Sequence, residues 1–341
     1  MNLNRNLALT WNLGRAAHFA SQQQLLPLVA RLATGEKPWA PPRLAEKRKQ
    51  LLAAAYSLLK EDARNIGAGL YPLEVLKPES SLKHSLRLMR IVADAAGLSR
   101  RRKKRAHKDF SSEAAAELGD SPEYYRRNFH FQTDGYLSSQ SAELYDHQVD
   151  LLFLGTTDAM RRALIAAMKR MLPAKAKLLE VGCGTGRLTH FATLALPAAK
   201  ITAMDPSAPY LEKAKENAGP GVKFVKGFGE ERHFKAKSFD GVYSAFLFHE
   251  LPTKVRAELL KEAVRVTKKG GVIAILDSLQ LGDRPEFDWA LKRFPIDFHE
   301  PFYKAYTQDP MGDWPKKIKG LELVECSYHF LGKVCVFRVT R

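Results

Sequence analysis

Leu178-Leu179-Glu180-Val181-Gly182-Cys183-Gly184-Thr185-Gly186-Arg187 joins a short apolar run to three glycines and then to a helix-compatible stretch. Glycine is needed where backbone turns sharply against a ligand, and a helix beyond it presents unpaired N–H groups. That arrangement serves a nucleotide-like ligand. The spacing is G-x-G-x-G with an acid ahead of it; the nicotinamide pattern G-x-G-x-x-G fails at Arg187, and no phosphate-loop lysine and serine follow. Nineteen residues past Gly186, Asp205 closes the next apolar run in Met204-Asp205-Pro206-Ser207. A carboxylate there can accept hydrogen bonds from both hydroxyls of a ribose. Without a ligand, the same residues would read as a turning loop and an acid at a helix N-terminus.

A second group follows a later apolar run: Ser244, Phe246, His249 and Glu250. An imidazole with an ordinary pKa of about 6.5 suits proton removal near neutrality, which makes His249 a candidate base. Capping or packing of the next helix is the competing use of His249 and Glu250. A third group, Phe298-His299-Glu300-Pro301-Phe302-Tyr303, supplies two more acid–base candidates in His299 and Glu300. Its aromatics, with Tyr136 and Tyr145 of an aromatic segment upstream, could face an acceptor or a cation, or simply pack under a loop. No spacing of His, Asp and Glu resembles a metal site, so no metal is expected.

The elements that must position these groups follow from periodicity. From Lys177 onward short apolar runs at Leu178–Val181, Ile201–Met204, Val222–Val225, Gly241–Ser244 and Val272–Leu276 alternate with amphipathic stretches such as Pro209–Asn217 and Lys254–Thr267. That alternation predicts a doubly wound parallel sheet. Leu321–Phe330 and Lys333–Thr340 predict an antiparallel pair at the end. The first third reads as helices, with a third one ending near Gly97 and the run Arg100 to Arg105 forming an exposed junction, because six like charges repel. The expected division is a helical region over 1–120, an aromatic cover and lead-in helix over 121–172, and a ligand-binding domain over 173–341.

Composition sets the outer limits. The chain has 341 residues, 45% of them hydrophobic and 27% charged, a globular balance. Cys183, Cys326 and Cys335 form no CxxC, which argues against a disulfide framework or a thiolate zinc cage. A reducing, cytoplasmic setting fits, with a membrane surface as an option, and no run is long and apolar enough to span a bilayer. The net charge is +17. The excess is larger before residue 175 than after it, so the front half is the place to meet an anionic surface, through Arg100–Arg105 or through Leu3, Leu7 and Trp11 beside Arg5 and Arg15.

Glu180 to Gly186, Asp205, Ser238-Phe239-Asp240-Gly241-Val242-Tyr243-Ser244, Leu247 to Pro252 and Arg265 to Gly271 together resemble class I S-adenosylmethionine-dependent methyltransferases, nearest to the group of ubiquinone and menaquinone C-methyltransferases and related small-molecule enzymes. The resemblance covers about Lys177 to Leu276. It implies an α/β, Rossmann-like sheet of seven strands with the last antiparallel, preceded here by a helical domain. It implies S-adenosylmethionine as cofactor, with Gly182, Cys183, Gly184 and Gly186 around its methionine end, Glu180 at the amino group and Asp205 on the ribose. Pro206 would flank the adenine, and Ser244, at the carboxyl end of the fourth strand, would be a further cofactor contact. Relatives often carry an Asp for the adenine amino group where this chain has Phe228, so stacking on Phe228, the backbone of Gly229, or Glu230 would replace it. The expected reaction is methyl transfer to O, N or C of a small aromatic, lipid-like or anionic acceptor, with Tyr136, Tyr145, Phe246, Phe298 and Tyr303 toward acceptor or lid. An RNA methyltransferase gripping phosphates with its basic front half, and a cofactor-binding scaffold without turnover, are the alternatives. The absence of an Asn/Asp-Pro-Pro-Tyr/Phe pattern after the fourth run disfavours the nucleic-acid reading.

Overall fold

In the computed structural model, which describes residues 2–35, 39–77 and 80–341, the apolar runs form one seven-stranded sheet. Its strands are β1 (Lys177–Val181), β2 (Lys200–Asp205), β3 (Lys223–Lys226), β4 (Phe239–Ala245), β5 (Thr267–Ser278), β6 (Leu321–His329) and β7 (Gly332–Val339), in the order β3-β2-β1-β4-β5-β7-β6. The first five are parallel and β7 runs antiparallel between β5 and β6. The order reverses between β1 and β4. That switch point opens a crevice at the carboxyl ends of the strands, where open α/β sheets take their ligands.

Thirteen α-helices are described. In front of the sheet are α1 (Leu3–Gln23), α2 (Leu25–Thr34), α3 (Leu44–Gly67), α4 (Ser81–Lys104), α5 (Ser112–Leu118), α6 (Ser139–Leu152) and α7 (Thr157–Lys169). Within and after it come α8 (Arg187–Ala195), α9 (Ala208–Ala218), α10 (Thr253–Val266), α11 (Asp288–Asp297), α12 (Tyr303–Thr307) and α13 (Trp314–Lys317). Alternate residues of each strand serve opposite faces, as strand geometry requires. Leu178, Tyr243, Ala274 and Val336 enter one core with α3, α7 and α8, while Leu179, Val242, Ile273 and Phe337 enter the other with α10 and Trp314. The front helices thus share a core with the sheet. The link is also ionic: Arg162 of α7 makes two hydrogen bonds to buried Asp62 of α3, at 2.7 and 2.8 Å, and Tyr71 and Asn12 donate to the same carboxylate.

Two expectations need correction. The run Arg100–Arg105 is no break beyond Gly97: α4 continues to Lys104, with Arg100, Lys103, Lys104 and Arg105 exposed as expected. Arg101 is held there by the carbonyl of Phe131 (2.9 Å) and the hydroxyl of Thr133 (2.5 Å), and cations in a last turn are favoured by the helix dipole. The spacing of the cysteines also misleads, because β6 and β7 return on each other so tightly that Cys326 and Cys335 stand directly opposite, Cα atoms 4.2 Å apart, and are disulfide-bonded. Cys183 remains free.

Candidate active site

The loop leaving β1 places Gly182, Gly184 and Gly186 at φ values of 69°, 54° and 75°, a region costly for any residue with a side chain. At Gly186 a Cβ would also stand 2.8 Å from Cα of Ala214 in α9. That glycine sets the helix packing behind the loop. At Gly184 the nearest neighbour of such a Cβ is Tyr210 at 4.0 Å, which leaves the backbone room to meet a ligand.

Asp205, at the end of β2, ties the loop to the strand. Its Oδ2 accepts the Gly184 N–H (2.8 Å) and its Oδ1 the Ser207 N–H (3.0 Å). Burial pushes its pKa up to about 6 against the pull of those two donors. Glu180 is buried inside β1, where its Oε2 accepts the Thr189 hydroxyl at 2.7 Å and burial lifts it to about 7. Burial likewise raises the Cys183 thiol.

Beside the loop lies a pocket that brings together Gly182, Pro206, Phe228, Gly229, Glu230 and Glu250, with Tyr124, Tyr125 and Phe129 of the preceding segment closing it. Phe228 meets Tyr125 edge to face at 5.4 Å, and Tyr124 donates to Glu230 at 2.5 Å. In a chain of net charge +17, no Lys or Arg is among the described residues lining this pocket. Aromatic walls with two carboxylates suit an aromatic base and a cation and repel phosphate.

At the end of β4, Ser244 is buried with its hydroxyl lacking a hydrogen-bond partner, and Phe246 turns the chain at φ 57° toward Phe153. His249 follows in a single turn. Asp277, at the carboxyl end of β5, accepts the Phe248 N–H (2.7 Å), the His249 N–H (3.3 Å) and the His249 Nδ1–H (2.6 Å). This fixes the ring and leaves Nε2 3.8 Å from Glu250 Oε1. Burial alone would push His249 down, but Asp277, followed by Glu250 and Glu300, outweighs it and lifts the pKa to about 9.

Glu250 Oε1 also accepts the Tyr136 hydroxyl at 2.5 Å and lies 3.4 Å from His130 Nε2; the other ring nitrogen of His130 is 3.1 Å from Glu300 Oε1. Burial opposes charge on His130, yet Glu300 and Glu250 raise its pKa. Glu300 is 3% exposed, neither of its oxygens has a hydrogen-bond partner, and burial raises its pKa although His130 pulls the other way. Donor atoms of His130, Glu250 and Glu300 fall within 4.8 Å of one another. A metal ion could bridge that spacing, although no sequence spacing suggested one; a protonated His130 between the two carboxylates accounts for it as well.

The remaining candidates separate. His299 stacks on His107 at 4.3 Å and is pushed down to about 4 by burial and by His107, so its neighbour Glu300 is the residue that enters the carboxylate cluster. Phe298 stands 6.1 Å from the His130 ring. Tyr303 shares a hydrogen bond with Ser278 (2.6 Å) and presents its ring to His249 at 5.8 Å. Tyr145 packs on Tyr136 and Tyr210. Sequence reasoning missed Asp277 and His130. Asp277 carried a signal, a carboxylate directly after the apolar run Val272–Leu276; His130, among the aromatics of its segment, carried none.

Residues 178–271 match the family model described as a methyltransferase domain. A ubiquinone/menaquinone biosynthesis C-methyltransferase from Rhizobium rhizogenes is 30% identical over 178 residues, which span 49% of this chain and 66% of that protein. A demethylmenaquinone methyltransferase from Thermotoga maritima is 29% identical over 143 residues, 42% of this chain and 60% of that one. The chain thus spans just under two thirds of the length of these curated relatives. Among solved structures, a SAM-dependent methyltransferase from Methanosarcina mazei is similar over 51% of this chain and 97% of its own, at 17% identity and a TM-score of 0.40. Strand order, glycine loop, acid at β2 and family match agree, and residues 178–271 are a methyltransferase domain of the class I, S-adenosylmethionine-dependent fold.

Proposed function

We propose that this protein transfers a methyl group from S-adenosylmethionine to O, N or C of a small acceptor. The observation that carries the reading is a pocket beside the glycine loop lined, among the described residues, by carboxylates and aromatics and by no Lys or Arg. When bound, the cofactor supplies a methyl group on a positively charged sulfur. Gly182 to Gly186 would hold its methionine end, Glu180 its amino group and Asp205 its ribose, with Phe228 and Tyr125 against the adenine. Glu250, the lining carboxylate nearest His249, complements the positive charge.

The chain's own chemistry is orientation, exclusion of water and movement of one proton. Tyr124, Tyr136 and Tyr145 belong to the covering segment, and their contacts with Glu230, Glu250 and Tyr210 close it over the crevice. Closure of this kind keeps water from the reacting centre and fixes the reactants in line, which accounts for much of such a rate enhancement. His249 Nε2 would take the proton from the acceptor, while Asp277 stabilises the resulting imidazolium through Nδ1. Positive charge beside Glu250 lowers the His249 pKa, so binding favours the free base. An anionic acceptor would face Glu250, Glu300 and Asp277 together. A neutral acceptor with an O–H, N–H or acidic C–H, able to donate toward Glu300, fits better.

Calorimetric titration of S-adenosylmethionine and S-adenosylhomocysteine into the full chain tests the reading. Saturable binding to one site is the expected result. No heat with either ligand, across pH 6 to 10 (a range of about four units that brackets the His249 pKa of about 9), would remove it.

A further inference from the structure

The front helices carry a feature that methyl transfer does not use. Of the eighteen large apolar side chains exposed among the described residues, ten lie on α1, α2 and α4. On α1 the exposed Leu3 and Leu7 stand one turn apart; on α2 Leu28 and Leu32 do the same, and on α4 Leu82 and Met89 stand two turns apart. Spacing of this kind places each set on a single helix face. Leu32 is 79% exposed, and Leu3 and Leu82 are each 69% exposed, far beyond the scattered apolar residues of an ordinary surface. The three helices are neighbours: α2 packs on both α1 and α4.

Charge selects the occupant. Residues 1–35 contain no Asp or Glu and carry the exposed Arg5 and Arg31. Although Arg15, Arg87 and Arg101 turn inward to Asp150, Glu143 and Asp94, α4 still presents Lys83, Arg90, Arg100, Lys103 and Lys104 at its surface. Apolar stripes rimmed by cations match a bilayer whose headgroups are anionic, where leucines enter the acyl boundary and each nearby cation adds attraction. The same charge works against a second copy of the chain, which would bring an equal positive field to the contact. We propose that α1, α2 and α4 form a docking face for an anionic phospholipid surface.

Co-sedimentation of the full chain with phosphatidylcholine vesicles, with and without phosphatidylglycerol, tests this independently of the methyltransferase reading. Binding is expected to the anionic vesicles, to weaken as salt is added, and to fall roughly tenfold in each of Leu28→Glu and Leu86→Glu. Circular dichroism and urea unfolding check that these variants keep the fold. In the unaltered chain, brominated lipid tails should quench the fluorescence of Trp11, which is 38% exposed on the same face of α1 as Leu3 and Leu7, and the quenching should diminish in Trp11→Phe. Three results would overturn the proposal. One is no sedimentation with anionic vesicles. Another is binding indifferent to both glutamates yet abolished by neutralising Arg100 to Lys104. The last is a dimer by light scattering that Leu28→Glu dissociates.

Discussion

Asp205 and Asp277 do different work at the ends of neighbouring strands, and substitution separates them. Asp205 holds two backbone N–H groups of the glycine loop and its flank. Asp205→Ala removes both contacts and the ribose acceptor, and we expect cofactor affinity to fall at least tenfold, since a hydrogen bond to a charged group contributes about 1.5–3 kcal/mol. Calorimetry reads this directly, and unchanged affinity would end the ribose assignment. Asp277 holds His249 and its turn, and accepts the N–H of Ser278 beside it. It is the first charged group raising the His249 pKa to about 9, so Asp277→Asn lowers that value. The rising limb of kcat against pH should therefore move to lower pH while kcat falls and the KM for cofactor stays put. A limb that stays in place, or moves up, means another group removes the proton.

At the scale of elements, the glycine loop and the α3–α7 clamp are where one residue decides how two segments meet. Gly186→Ala puts a Cβ against the backbone of α9 at a φ of 75°. A cost of about 1–3 kcal/mol follows for strain at that φ, more if α9 must shift. Urea unfolding should show it, and a neutral result would mean that α9 yields freely. Asp62→Ala goes further, because it strands Arg162, whose side chain is 4% exposed, without its partner. Breaking such a pair costs roughly 3–5 kcal/mol. The strands were legible in advance because parallel strands buried on both faces must be apolar runs, and the glycine loop because nothing else turns that way. The end of α4 was not. Its basic run looked like a break until Phe131 and Thr133, thirty residues on, supplied acceptors for Arg101.

Across the whole molecule, the cluster of His130, Glu250, His249, Asp277 and Glu300 is assembled from four separate stretches of chain, and local sequence holds no record of that meeting. His249 and Glu250 were visible as candidates because they follow a strand; their partners depend on how α11, β5 and the covering segment close on one another. The same long-range assembly makes folding sensitive to pH. His249 rises from about 6.5 when unfolded to about 9 when folded. The folded chain therefore binds this proton more tightly, so the stabilisation is complete below pH 6.5 and is lost as pH climbs through 9, on the order of 3 kcal/mol. His147 has the opposite sign: burial and the neighbouring His84 hold it down at about 3, so its contribution is present above 6.5 and is lost as pH falls toward 3. Stability should then decline on the alkaline side of neutrality in the unaltered protein and decline less in Asp277→Asn, which no longer raises His249. Denaturant unfolding at intervals from pH 6 to 9 compares the two, over a range of about three units that contains both the unfolded and folded His249 values. Equal alkaline slopes in the two proteins would show that the buried imidazolium is not what the fold is holding.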